Sequence, residues 1–249
     1  MIARSRVGCV LATVMLCMIE IVSGQQRDEF TEGNQEYAAG HFREATDLYT
    51  KLVSSGEVSA ALFYNLGNAW YRAGDLGQSI LNYERALALE PQQPEAEANL
   101  RLARDKARAL QLKRNAVDRV AARATPTEYS IVMASSFWIA AFALAALFVS
   151  RRRAGAALSI LVLSCITLAA AAYGLYAIEN GPGGRSLAIV TAKTTEARLA
   201  TADNAGTVLA LPPGSEINIL STRGDWIYAA LPNDLRGWIP AKNAELVRL

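Results

Sequence analysis

Two stretches of this chain contain no charged residue: IVMASSFWIAAFALAALFVS, from Ile131 to Ser150, and AGAALSILVLSCITLAAAAYGLYAI, from Ala154 to Ile178. Nothing constrains the fold more. A helix rising ~1.5 Å per residue carries 20 residues across roughly 30 Å, the thickness of a bilayer's hydrocarbon core. Arg151, Arg152 and Arg153 alone separate the two stretches, which predicts a transmembrane hairpin, 131–150 and 154–178, with a basic turn. Composition agrees, at 52% hydrophobic and only 19% charged, more apolar than an ordinary soluble domain. The formal net charge of +2 gives no reason to expect a nucleic-acid partner. Charge is nevertheless segregated, with twelve acids and five bases from Gln25 to Leu100, then eight bases and three acids from Arg101 to Ser130.

The N-terminus reads MIARSR, then VGCVLATVMLCMI, then EIVSG. A basic start, a short apolar core and small residues at Val22 and Gly24 predict a signal peptide over 1–24. The region after Gly24 is then exported, the arginine turn lies in the cytoplasm as positive-inside bias favours, and everything after Glu179 is outside again. Lys113, Arg114, Arg119 and Arg123 run against that bias, and the signal sequence decides the orientation. Cys9, Cys17 and Cys165 all lie in apolar runs and His41 is the single histidine, so neither a disulfide framework nor a metal site is expected.

Between signal and hairpin the chain repeats itself. An offset of 34 residues puts Gly33 on Gly67, Asn34 on Asn68, Tyr37 on Tyr71, Gly40 on Gly74 and Tyr49 on Tyr83. One fixed period of this length is a solenoid signature. Phe63, Leu66 with Gly67, Trp70, then Ser79, Tyr83, Ala86 and Pro91 resemble the tetratricopeptide repeat family, and two repeats, 26–59 and 60–93, are expected. The first is weaker, with Glu29, Glu32 and Glu36 opposite Phe63, Leu66 and Trp70, as suits a terminal repeat. Two repeats alone leave an apolar face open. The segment 94–125, opened by Pro94 and striped at Ala96, Leu100, Ala103, Ala107, Leu110, Val117 and Ala121, predicts one long capping helix that reaches the membrane at its basic end.

Gly181, Gly183, Gly184 and Pro182 mark a linker over 179–186. Beyond it, short Val/Ile/Leu/Tyr-rich runs separated by DNAG, PPG, TRGD and PND predict a small all-β barrel over 187–249. Leu211 to Glu216 (LPPGSE), Arg223 to Trp226 (RGDW) and Arg236 to Pro240 (RGWIP) resemble bacterial SH3-like domains. Trp226, Tyr228 and Trp238 are either the core of that barrel or a ligand-facing aromatic platform.

The resemblance to tetratricopeptide repeats implies a partner groove on the face built from first helices, where Phe30, Asn34, Tyr37, Tyr64, Asn68, Tyr71 and Arg72 are placed. Asn34 and Asn68 resemble half of a clamp for a peptide carboxylate, yet Phe30, Ala98 and Leu102 occupy places where its basic groups belong. A peptide groove is expected and a carboxylate clamp is not. Neither outer region offers a Ser/His/Asp or Cys/His arrangement, and catalysis is not expected. The fold class is thus a multidomain membrane protein: an all-α solenoid, a two-helix hairpin and a small β barrel. Signal, repeats, hairpin and SH3-like domain in this order resemble the BatE-type proteins of bacterial aerotolerance operons. That resemblance implies a scaffold in the cytoplasmic membrane, working with von Willebrand A-domain membrane proteins and a MoxR-type ATPase. The alternative is a protein that binds or hydrolyses peptidoglycan, targeted by its SH3-like domain.

Overall fold

The computed structural model describes residues 29–149 and 154–248. The signal peptide expected over 1–24 and the arginine turn at 151–153 lie outside the described residues.

Helices α1 (29–39) and α2 (Phe42–Ser54) form the first antiparallel pair, and α3 (Ala60–Ala73) and α4 (Leu76–Leu89) form the second. Ser59 and Asp75 cap α3 and α4 by accepting from the backbone N–H of Leu62 and Gln78, satisfying donors that a helix start otherwise leaves orphaned. Gly33 and Gly67 admit the rings of Tyr49 and Tyr83, which a Cβ at either glycine would meet at 2.6 Å and 2.8 Å. Each pair therefore closes tyrosine against glycine, with Leu52, Leu62, Leu66 and Ala69 buried between the pairs.

The single helix expected over 94–125 is instead broken in two. Helix α5 (Pro94–Ala107) stops at Arg108, which adopts the left-handed conformation at φ 53°. Helix α6 (Ala116–Ala121) begins afresh behind a reciprocal Asn115–Asp118 capping box. The reason lies in the residues between. The N–H of Leu110 donates to Ser215 Oγ (3.1 Å), its carbonyl accepts from Glu216 N (2.9 Å), and the N–H of Leu112 donates to Glu216 Oε2 (3.1 Å). Leu110 packs on the core of the C-terminal sheet and Leu112 on the cluster that this sheet shares with the helices. An extended strap uses the apolar positions that looked like a continued helical stripe. The first half of the expected cap remains, since Ala96, Leu100 and Ala103 of α5 are buried.

Helices α7 (Pro126–Val149) and α8 (Ala154–Asn180) pair along most of their length. A second reciprocal cap, Thr125 with Glu128, starts α7 five residues ahead of the expected 131. The buried residues of α8 are Ala157, Ser164, Ala171, Gly174 and Ile178, mostly small and largely seven apart, the seam by which helices approach closely in apolar surroundings. Ser136 and Thr167 hydroxyls meet across it at 3.1 Å. Phe137, Trp138, Phe142, Leu163 and Ile166 are exposed. Helices α7 and α8 are long and apolar enough to cross a membrane, with mean hydropathy 2.2 in each, and only 11% and 17% of their most apolar windows are buried.

In the expected linker, α8 runs on to Asn180 and the chain then turns tightly, with Arg185 N–H donating to the Glu179 carbonyl at 3.0 Å. Seven strands follow, β1 (Leu187–Val190), β2 (Thr195–Arg198), β3 (Thr207–Leu211), β4 (Glu216–Arg223), β5 (Trp226–Ala230), β6 (Arg236–Pro240) and β7 (Ala244–Leu246). They form one antiparallel sheet in the order β3-β2-β6-β5-β4-β1-β7. The expected barrel does not close, for β3 and β7 are its edges. Its core holds Val190, Ala197, Leu211, Ile217, Ile227 and Ile239. Closure is replaced by the helices. Strand β1 is buried on both faces, Ala188 and Val190 into the sheet's core, Leu187 and Ile189 into a cluster with Ile80, Leu81, Tyr83 and Leu100.

Candidate functional site

The sheet docks on one side of the second helix pair only. A Cβ on Gly77 would lie 2.7 Å from the carbonyl oxygen of Thr191, so α4 meets the sheet backbone to backbone. Gln78 Nε2 donates to Glu245 (2.7 Å), and Arg85 donates to the Leu246 carbonyl (3.0 Å) at the β7 edge. Between α4, α5, the strap and β4 lies a buried ionic cluster, in which Arg104 bridges Glu84 and Glu216 while Arg114 reaches Glu216 at 3.1 Å. Glu216 is 1% exposed. Burial, reinforced by the neighbouring Glu84, pushes its pKa above the ordinary carboxylate value, against the pull of Arg114 and Arg104.

Among the described residues, nothing covers the face formed by α1, α3 and α5. On it, Tyr49 OH donates to Asn34 Oδ1 at 2.7 Å, and Asn65 Nδ2 donates to the same oxygen at 3.0 Å. One repeat later, Tyr83 OH donates to Asn68 Oδ1 at 2.7 Å and Asn99 Nδ2 does so at 2.9 Å. Burial first, and Tyr37 second, pushes the Tyr49 pKa up to about 12, and burial raises that of Tyr83 as well. Both phenols are therefore dependable donors at neutral pH. Each oxygen of Asn34 and Asn68 is tied inward. Each Nδ2 has no partner among the described residues, and the Oδ1 of Asn65 and Asn99 accepts from none. The face thus offers amide donors and acceptors one repeat apart, which suit the N–H and C=O groups of a peptide backbone.

The other expected groove residues divide. Phe30 packs tilted on Tyr49 (ring centroids 5.9 Å) and Tyr64 on Tyr83 (6.1 Å), so both are half-buried supports. Lys106 lies 4.6 Å over the Tyr71 ring. Arg72 stacks on Phe42 at 4.5 Å, and Tyr37 meets the same ring edge-on at 5.4 Å, which puts Arg72 at the rim beside α2. Leu102 of α5 is 59% exposed, an apolar floor where a carboxylate clamp would need a cation. Asn65 and Asn99 had escaped the sequence reading, although they too stand 34 residues apart.

On the sheet, Trp226, Tyr228 and Trp238 alternate with buried Ile227, Ala229 and Ile239. They occupy the face opposite the core, half-buried, and Tyr228 and Trp238 are cross-strand partners with ring centroids 5.0 Å apart. None of the three belongs to the buried core of the sheet.

Residues 60–93 match the Tetratricopeptide repeat family. They are a tetratricopeptide repeat. The match spans α3, α4 and the turn into α5, the pair that carries both the Tyr83–Asn68–Asn99 bonding and the docked sheet. No curated protein matches the chain. The preceding pair, α1 and α2, repeats the same hydrogen bonds at the same offset, and such repeats generally mediate protein–protein interaction.

Proposed function

We propose that the chain is a non-enzymatic scaffold for protein–protein interaction, anchored in a membrane by α7 and α8. The observation that carries this reading is the open face of α1, α3 and α5. The chain's own sheet takes the back of the second repeat and leaves the amide-lined front unoccupied. The small buried share of α7 and α8 supports the anchor, since a soluble core helix of that hydropathy would bury its apolar side chains. The expected signal peptide and the resemblance to BatE-type proteins favour the outer side of a bacterial cytoplasmic membrane. They also favour an SH3-like assignment for the sheet, and an envelope complex of the stress-tolerance type with von Willebrand A-domain and MoxR-type partners.

The test is photo-crosslinking in intact membranes of cells expressing the full-length protein. A photoreactive residue at Asn34 or Ala98 on the front should yield one discrete protein adduct, and one at Asp47 on the back of α2 should not. Equal adducts from front and back would overturn the groove. A second reading, peptidoglycan binding, is favoured by the outward Tyr228–Trp238 pair. It requires that peptidoglycan pelleting of the detergent-solubilised protein be lost in Trp238→Ala and kept in Leu102→Asp.

A further inference from the structure

A cleft of about 700 Å³ opens where four parts of the molecule meet: α4 with α5, the short helix α6, the last turn of α8, and the end of the sheet. Its cationic lining comes from Arg104, Arg114, Arg119, Arg123 and Arg248. Two of these are already committed, Arg104 to Glu84 and Glu216, and Arg114 to Glu216. Arg119, Arg123 and Arg248 make no ion pair among the described residues. The acids nearby are also committed, Asp118 to the cap on Asn115 (3.2 Å) and Glu179 to Arg185 (2.7 Å); Glu97 is exposed on α5. Arg248 is half-buried, and its Nε is a buried donor with no acceptor. Burial lowers its pKa, and the nearby Glu179, itself paired with Arg185, offsets this only in part.

The lower wall is apolar and comes from Pro126, Ala177 and Ile178, at the start of α7 and the end of α8. This is the level at which both apolar helices give way to polar chain. Tyr173 and Tyr176, 58% and 63% exposed on α8, stand within two turns of it, as aromatic residues do at head-group depth. A soluble anion would gain nothing from such a wall. A diacyl phospholipid would place its phosphate among the arginines and its chains along α7 and α8.

We propose that this cleft is a binding site for the head group of one acidic phospholipid, held by Arg119, Arg123 and Arg248. The inference rests on α7 and α8 spanning the membrane. An anionic diester in the cleft would touch α6, the end of α8 and the tail of the sheet together, joining the soluble parts to the membrane surface.

The experiment is native mass spectrometry of the full-length protein in detergent with equimolar phosphatidylglycerol and phosphatidylethanolamine. One phosphatidylglycerol should be retained preferentially. Each of Arg119→Gln, Arg123→Gln and Arg248→Gln should weaken retention about fivefold, as expected for one basic residue at a membrane surface. The triple variant should show no preference, whereas Arg223→Gln on the distal β4–β5 turn should match the parent. Arg248→Lys, which keeps the charge, should recover most of the retention, and unchanged melting temperatures would separate lost binding from lost folding. Undiminished preference in the triple variant would overturn the proposal, as would displacement of the lipid by an equal concentration of glycerol 3-phosphate. Carbonate extraction distinguishes the two failures: a protein released from membranes sinks the anchor, while one that stays embedded without lipid preference sinks the cleft alone.

Discussion

The two helix pairs are copies in sequence and in internal bonding, yet they differ in what lies behind them. In α2 the buried residues are Ala45, Thr46, Tyr49 and Leu52. Their counterparts in α4, Ser79, Ile80, Tyr83 and Ala86, are buried too, and so are Gly77, Leu81, Asn82 and Glu84. Opposite Gly77, Leu81 and Glu84 the first pair carries Arg43, Asp47 and Thr50, all exposed. The shared positions build a repeat. The extra ones turn its back into a platform for the sheet, with Gly77 removing a side chain from the Thr191 backbone and Leu81 filling the joint cluster. One scaffold therefore presents two surfaces, a polar front and an apolar back that the chain's own C-terminal part covers.

Exchanging residues between the copies should break this comparison most sharply. Leu81→Asp buries a charge with no partner and removes a side chain that is 0% exposed. It should cost about 3–5 kcal/mol and free the sheet, read as loss of hydrogen-exchange protection at β1 together with a lower melting temperature. Asp47→Leu, the reverse exchange, should change stability by no more than about 0.5 kcal/mol. Similar losses for the two would mean that the back of α4 is no platform.

A smaller effect sharpens what the copies share. Tyr49→Phe and Tyr83→Phe each delete one hydrogen bond to an asparagine that keeps its second donor. Each should cost about 1 kcal/mol in chemical denaturation. A loss at Tyr83 several times that at Tyr49 would show that the two triads are not equivalent and that the docked sheet strengthens the second.

The smallest effect is a pH dependence confined to the back. Glu216 has its folded pKa raised from 4.5 by burial and by Glu84, so the folded state holds its proton more tightly than the unfolded chain does. Its contribution to stability is complete below the ordinary carboxylate range and fades as pH rises through the raised value. The stability of the parent relative to Glu216→Gln should therefore fall as pH is raised from 4 to 8, measured by denaturant midpoints. A relative stability that grows over that range would reverse the assignment.

The parts legible in the sequence were those set by local periodicity. The 34-residue offset located both helix pairs, and two charge-free runs located α7 and α8, because helix faces and apolar length are written over consecutive residues. Most of what escaped depends on contacts more than 100 residues apart. Leu110 fits a helical stripe until Ser215 and Glu216 are seen to hold Leu110 and Leu112 in an extended strap. The barrel was expected to close because its strands were read alone, and the four apolar residues of β1 lacked the visible partner that makes a two-faced strand intelligible. Gly77 and Leu81 stand out only when set against Arg43 and Asp47, a comparison of differences between repeats where the eye follows identities. At the groove Asn34 and Asn68 are legible from the 34-residue offset, whereas the part played by Asn65 and Asn99 shows only in their bonds to those asparagines.

The docking of β1 on α4 also has a meaning in time. Ile80 and Leu81 emerge during synthesis long before Leu187 and Ile189, with the whole of the paired apolar helices between them. Until the last quarter of the chain is made, the back of α4 lacks the strand that packs on Ile80 and Leu81. Covering the flank of the second repeat therefore waits until both apolar helices and the residues of β1 have been made.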